Sequence, residues 1–456
     1  MITIRRFLLL SRMEFQMNRV FRFGGAVACT VVAASSGLAQ QRPPIRQLGA
    51  VTAKSAETFT NVASVRALSN GSVLVNDLSG RRVLLFDPQL SKFTVVADST
   101  SATANAYGGR IGALAAYRGD STIFIDPTSV SMLVIDPAGK VARVMAIPRA
   151  EDAIFIGSAL GNATFDASGH LIYRAGARPQ FAARTVTTAS PGGLPPIPDI
   201  PDSAFIIRVD LATRKVDTLG SVRTPKVKLE TRSDERGTTI STLINPLPVV
   251  DEWVVMPDGA LGFIRGRDYH VDWLNPDGSK VTSAKIPFDW QRMTDEDKVA
   301  FIDSVKAARE RQGANAPVPV TGGAAPAPAG GGVPQMQIFI GSGPGGGGGA
   351  SGPTRVNAGG PGSFNFIPAS ELPDYKPPFF AGSVRADMDG NIWVRTIPTS
   401  AIAGGPVYDV INRKGELIDR VQIPVGRTIL GFGPGGVVVL ANREGATVTV
   451  ERASVR

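Results

Sequence analysis

The sequence predicts an all-β fold: a six-bladed β-propeller closed by an N-terminal strand, with a short helix and a long Gly/Pro-rich insertion. Three observations predict it. A strand–turn–strand–link unit of about 46–50 residues recurs six times, the signature of a radially repeated architecture. The sixth unit ends one strand short, while an unassigned strand lies near the start of the chain. The excess length falls into links at one end of the units.

Taken in order, residues 1–39 read as an address. Arg5, Arg6, Arg12, Arg19 and Arg22 stand against the single acid Glu14, and an apolar run from Gly24 to Ala34 ends in the small-x-small triplet Gly37-Leu38-Ala39. That order is a secretory signal peptide with cleavage before Gln40, and Met17 is an alternative start that leaves the reading intact. The apolar run is too short for a span of roughly 20 residues, so no transmembrane anchor is expected after cleavage. The mature chain then begins at residue 40, loses Cys29 and carries a smaller positive charge than the +9 of the whole. A thiol-free mature chain suits an exported protein, periplasmic or extracellular.

The first unit, about 62–99, is the pattern for the rest. It runs Val65 to Ala67, an Asn70-Gly71 turn, Val73 to Asp77, Arg82 to Phe86, an Asp87-Pro88 turn, and Phe93 to Val96. Gly at such turns takes φ > 0 without steric cost, and Asn or Asp closes the turn with its own side chain. The first turn returns at Gly119-Asp120, Ser168-Gly169, Asp258-Gly259, Asp389-Gly390 and Gly435-Gly436. These place the later units at about 107–148, 158–223, 248–287, 379–425 and 427–456, the last completed by residues 45–54. A sheet completed from the other end of the chain closes a ring and hides its edges.

The residues Val75-Asn76-Asp77, Arg82-Val83 and Phe86-Asp87 resemble an NHL-type blade. Asp387-Met388-Asp389-Gly390-Asn391-Ile392-Trp393-Val394 is similar to the Asp-Gly-Asn-Ile-Trp turn of that group, and residues 256–278 resemble secreted bacterial six-bladed propellers. The resemblance covers about 45–456 without the insertions. It implies a propeller of the NHL-like or gluconolactonase-like kind, a group mostly without assigned activity that includes binding modules, lactonases and lyases.

The largest insertion, 288–378, has two parts. Thr294-Asp295-Glu296-Asp297 opens a helix over 295–311, with Val299, Ile302 and Val305 as its apolar stripe. Residues 312–368 are Gly-, Pro- and Ala-rich with the single charge Arg355, a composition that predicts flexibility. Residues 334–340 are its one apolar island. The insertion reads either as a lid over the channel mouth or as a neutral decoration.

The ends of the second strands converge on one rim in this topology, at Asp77, Asp126, Arg174, Arg265, Arg395 and Asn442, with Arg110 and Arg385 from the first strands. Several converging guanidinium groups present forks that match carboxylate or phosphate. This predicts a site for a small anionic molecule or a cell-envelope protein or peptide. The competing reading pairs the acids with neighbouring arginines and binds nothing. A calcium-dependent lactonase or esterase is the alternative activity, with Asp77, Asp126, Asn162 and Asn442 as partial ligands and calcium as the one candidate cofactor. His170 lies on the turn between strands one and two and His270 begins strand three, so they fall on opposite faces, against a paired-histidine mechanism. One cysteine excludes multi-cysteine metal sites. No basic–aromatic run supports nucleic-acid binding, and a closed ring without exposed edges predicts a monomer.

Overall fold

The computed structural model describes residues 42–99, 107, 112–157, 163–176, 200–234, 237–312, 365–400 and 402–455. The chain divides into two units, Met1–Ala39 and Gln40–Arg456, and every element below belongs to the second. The signal reading of 1–39 lies outside the described residues, as do Arg110, Asn162 and residues 313–364.

The fold is a β-propeller built from sheets of antiparallel strands. Sheet one holds Val62–Ala67, Val73–Asp77, Arg82–Phe86 and Phe93–Asp98, and sheet two holds Ala113–Ala116, Thr122–Asp126, Ser131–Ile135 and Val141–Ala146. Sheet three holds Thr164–Phe165, Leu171–Arg174, Ser203–Val209 and Val216–Arg223; sheet four holds Glu252–Val255, Leu261–Arg265, His270–Leu274 and Lys280–Thr282. Sheet five contains Phe379–Ala386, Ile392–Thr396, Val407–Ile411 and Leu417–Gln422, and sheet six Arg427–Gly433, Val437–Glu444 and Thr447–Ser454 completed by Val51–Lys54. At the turn joining the first two strands of each sheet a glycine takes φ between 61° and 88°, where a Cβ would be strained.

The inner strands, such as Val73–Asp77, Thr122–Asp126 and Leu261–Arg265, are short and largely apolar because they are buried between neighbouring sheets. Val83 and Val96 of sheet one meet Phe124 and Ile135 of sheet two. Ile123 and Val134 of sheet two meet Tyr173 and Val209 of sheet three, and Ile172 and Ile206 meet Trp253 and Phe263 of sheet four. Ile264 and Val271 pack on Val384 and Val394 of sheet five, whose Trp393 and Val421 pack on Val438 and Leu440 of sheet six. Val439 and Val450 then return to Val75 and Leu84 of sheet one. Each fully buried aliphatic side chain contributes about 1.5–3 kcal/mol, so the seams between sheets carry the fold. The first strands of neighbouring sheets lie side by side, sheet six against one, one against two, and four against five.

The segment 45–54, expected as one donated strand, serves two sheets. Ile45–Gln47 runs parallel to the outer strand of sheet five, with Arg46 opposite Val421. Leu48 turns into the core between sheets five and six, and Val51–Lys54 then pairs antiparallel with Thr447–Ser454. A buried side chain between two strand stretches is what divides the segment.

Two links depart from a plain propeller, both at the end where second strands finish. Residues 224–247, left by the repeat as a link between the units 158–223 and 248–287, form the hairpin Lys228–Asp234 and Gly237–Ile244. Asn365–Phe366 adds to it in parallel, which corrects the reading of 312–368 as flexible to its end: Ile367 is buried with Leu247, Met293, Leu372 and Phe380. The helix runs Asp295–Gln312. Thr294 accepts the Asp297 N–H at 3.2 Å while Asp297 Oδ2 accepts the Thr294 N–H at 2.9 Å, a reciprocal cap. Of its predicted stripe Ile302 enters the core but Val299 stays exposed. Lys298 is buried instead and donates to Asp374 at 2.7 Å.

Candidate functional site at the channel mouth

The first strand of sheet four opens at Glu252, and Asp251 stands just before it, two acids directly ahead of the apolar run Trp253-Val254-Val255. Trp253 and Val254 anchor in the cores on either side, so Glu252 is carried inward and is only 3% exposed. Its Oε1 accepts the Gly382 N–H at 2.6 Å. Gly382 presents that group because the first strand of sheet five breaks register between Phe379 and Val384 and Gly382 itself takes φ +77°. A Cβ there would meet nothing within 4 Å, so the space on the Cβ side of Gly382 is open. Burial pushes the Glu252 carboxyl above the usual range, while Arg174 and Arg385 draw it back down. One carboxyl is thus flanked by a guanidinium from each neighbouring sheet.

Asp251 fixes the adjoining loop. It accepts from Arg265 Nη1 at 3.0 Å, the Gly266 N–H at 3.1 Å and the Arg223 N–H at 3.1 Å. Arg265 also donates to Asp272 at 2.8 Å and to Ser221 O at 2.9 Å, and stacks over Phe263. Arg265 thus serves Asp251 and Asp272, whereas Arg174 and Arg385 are the guanidinium groups that act on Glu252.

The remaining rim residues from the sequence do not gather into the same cluster. Asp77 accepts from Gly80 N–H at 2.8 Å and Arg82 Nε at 2.9 Å. Asp126 accepts from Thr128 N–H at 3.1 Å and Ser129 Oγ at 2.6 Å. Both approach Tyr107, whose hydroxyl is pushed well up by burial while Arg81 pulls the other way. Asn442 donates to Glu444 and Glu451 at 2.9 Å each, and Glu451 also accepts from Arg427 Nε at 2.6 Å. Arg395 closes the second strand of sheet five opposite Tyr408. Arg385 sits one residue from the end of its strand, opposite Trp393, further down the channel wall than Arg395. Arg66, another first-strand residue, lies beside the far turn, where burial lowers its guanidinium and Asp120 opposes. Among the described residues no three His, Cys, Asp or Glu side chains converge in a metal-sized group.

His170 bonds Asp166 Oδ2 at 2.8 Å in the turn that opens a second strand, whereas His270 faces Arg265 at the end of one. The two stand at opposite strand ends. Glu252 was missed by sequence reasoning that looked to second-strand ends. Its signal was two adjacent acids at the start of a strand buried on both faces, where an unpaired charge is costly.

No family model matches the chain, and no curated protein matches it. Among solved structures, a gluconolactonase from Xanthomonas campestris is 10% identical over 91% of this chain and 99% of that one, with a TM-score of 0.37. The calcium-binding protein regucalcin from Agrobacterium tumefaciens is 10% identical over 90% of this chain and 98% of that one, TM-score 0.37. A streptogramin B lyase is 9% identical over 88% and 86%, TM-score 0.34. Likeness at this level says nothing of this chain's chemistry.

Proposed function

We propose that this chain is an exported six-bladed propeller, closed through residues 45–54, that binds a small anionic ligand at its channel mouth. The six-bladed count rests on six sheet-to-sheet cores that return to their start. Export rests on the basic, then apolar, then small-residue order of 1–39. The observation that carries the binding reading is the buried carboxyl of Glu252 with Arg174 and Arg385 on the flanking sheets and open space over Gly382, whose N–H it accepts. A ligand carboxylate or phosphate arriving there meets guanidinium groups whose forks match its oxygens.

The test is calorimetric titration of the purified protein with inorganic phosphate and with glucuronate. At least one binds, and Arg385→Ala weakens it about 10–100-fold, the worth of a charged hydrogen bond of about 1.5–3 kcal/mol. No binding of either, or affinity unchanged in Arg385→Ala, overturns the reading. Calcium-dependent stabilisation together with hydrolysis of a lactone would instead favour the enzyme alternative, whose acids Asp77 and Asp126 are already engaged by Arg82 and Ser129.

A further inference from the structure

Along the seam between sheets four and five, at the same end of the fold, three links enclose an open cleft of about 500 Å³. The links are the Gly266–Asp268 connection, the segment around Trp290 and the segment Pro373–Pro377. Two aromatic rings face it with much of their surface bare: Trp290 is 41% exposed and Tyr375 48%. Neither is loosely hung. Trp290 stands edge-on to Phe288 at 5.2 Å, and Phe288 edge-on to the fully buried Tyr269 at 5.8 Å. Tyr375 is bridged to Arg292 as in a sheet, with the Met293 N–H on Asp374 O at 2.8 Å and the Lys376 N–H on Gln291 O at 3.0 Å.

Around the rings stand two cations and two anions, Arg267, Lys285, Asp268 and Asp374. Lys285 lies 3.7 Å from Asp268. Asp374 accepts from the buried Lys298, which holds its carboxyl below the usual range. An anionic ligand would meet Asp268 and Asp374, a cationic one Arg267 and Lys285, and an aliphatic one would strip four charged groups of water without replacing it. A neutral, hydroxyl-rich ligand with flat C–H faces suits the whole lining. Its hydroxyls both donate and accept, and its C–H face rests on the electron-rich faces of the rings. The volume lies within the ~300–1,000 Å³ typical of small-molecule sites.

We propose that this cleft binds a neutral oligosaccharide, with Trp290 and Tyr375 as the platforms and Asp268 as a hydroxyl acceptor. The site is separate from the anion reading; the two touch where Gly266 donates its N–H to Asp251.

Trp253, Trp273 and Trp393 are at most 3% exposed, so Trp290 reports on the cleft. The purified full chain is titrated with cellotriose, maltotriose and chitotriose, following tryptophan emission and, in parallel, heat. At least one shifts emission to the blue and gives a saturable heat. Trp290→Ala and Tyr375→Ala each weaken it tenfold or more by calorimetry, Asp268→Asn weakens it several-fold, and Arg385→Ala leaves it unchanged. Absence of binding by all three sugars overturns the proposal, as does affinity unchanged in both ring variants. Should Trp290→Ala disturb folding through Phe288, Tyr375→Ala and Asp268→Asn at wild-type melting temperature decide the matter.

Discussion

Glu252 and Asp409 are both almost fully enclosed carboxyls, yet they are held by different means. Asp409 accepts from Tyr269 Oη at 3.0 Å and Arg420 Nε at 3.3 Å, and burial still pushes it above the usual range against Arg420. Glu252 has one backbone donor and the more distant pull of two guanidinium groups. Below the ordinary glutamate value of about 4.3, Glu252 is protonated folded or unfolded and has no effect on stability. As pH rises past that value the unfolded chain sheds its proton first, and stability falls until the pH passes the raised folded value. Glu252→Gln keeps an oxygen for Gly382 and removes the titration. Its melting temperature relative to wild type should therefore climb between pH 4 and pH 7, on the order of 2 °C; a difference independent of pH in paired thermal melts would refute this. Such a residue is hard to find in a sequence because its environment is set by residues far along the chain, Arg174 before it and Gly382 and Arg385 after it. The second-strand ends were easier to pick out, but Asp77, Asp126, Arg265 and Asn442 each spend their polar atoms largely on nearby groups.

Strands and turns were legible because the turns carry their own chemistry. Asp387 shows how: its carboxylate accepts from the N–H of Asp389 and Asn391, from Asn391 Nδ2 and from Trp393 Nε1, so the Asp-Gly-Asn-Ile-Trp pattern is one hydrogen-bonded unit. The hairpin Lys228–Ile244 was not legible, since the repeat assigned it to a link and its β-branched alternation has no counterpart in other units. The division of 45–54 between two sheets was hidden for another reason: nothing in Leu48-Gly49 tells which seam the leucine enters. Leu48 is 8% exposed, and Leu48→Ala should cost about 2–3 kcal/mol in urea unfolding. Val51→Ala, at a position 40% exposed, should change stability by no more than about 0.5 kcal/mol. Equal effects from the two would mean that the segment rests on strand pairing alone.

At the scale of the whole molecule, the stabilising seams run between sheets, and the decorations gather at one end. The helix Asp295–Gln312 and the strand Asn365–Phe366 are both tied to the cluster around Leu247 and Phe380, so the contacts that hold them lie in the described residues on either side of 313–364. Replacing 313–364 by a short Gly/Ser linker should leave the melting temperature within about 2 °C; a loss of cooperative melting in calorimetry would show those residues to be part of the fold. Ring closure has a further consequence, in the order of events during synthesis. Gln47 donates to Gln422, 375 positions later, and Val51–Lys54 waits for Thr447–Ser454. A chain made from its N-terminus holds its closing strand unpaired until Thr447–Ser454 has been made, and contacts so far apart are slow to form. Sheets one to four can assemble early, but the ring locks late, and until then the outer edges of sheets five and six are open to any passing strand.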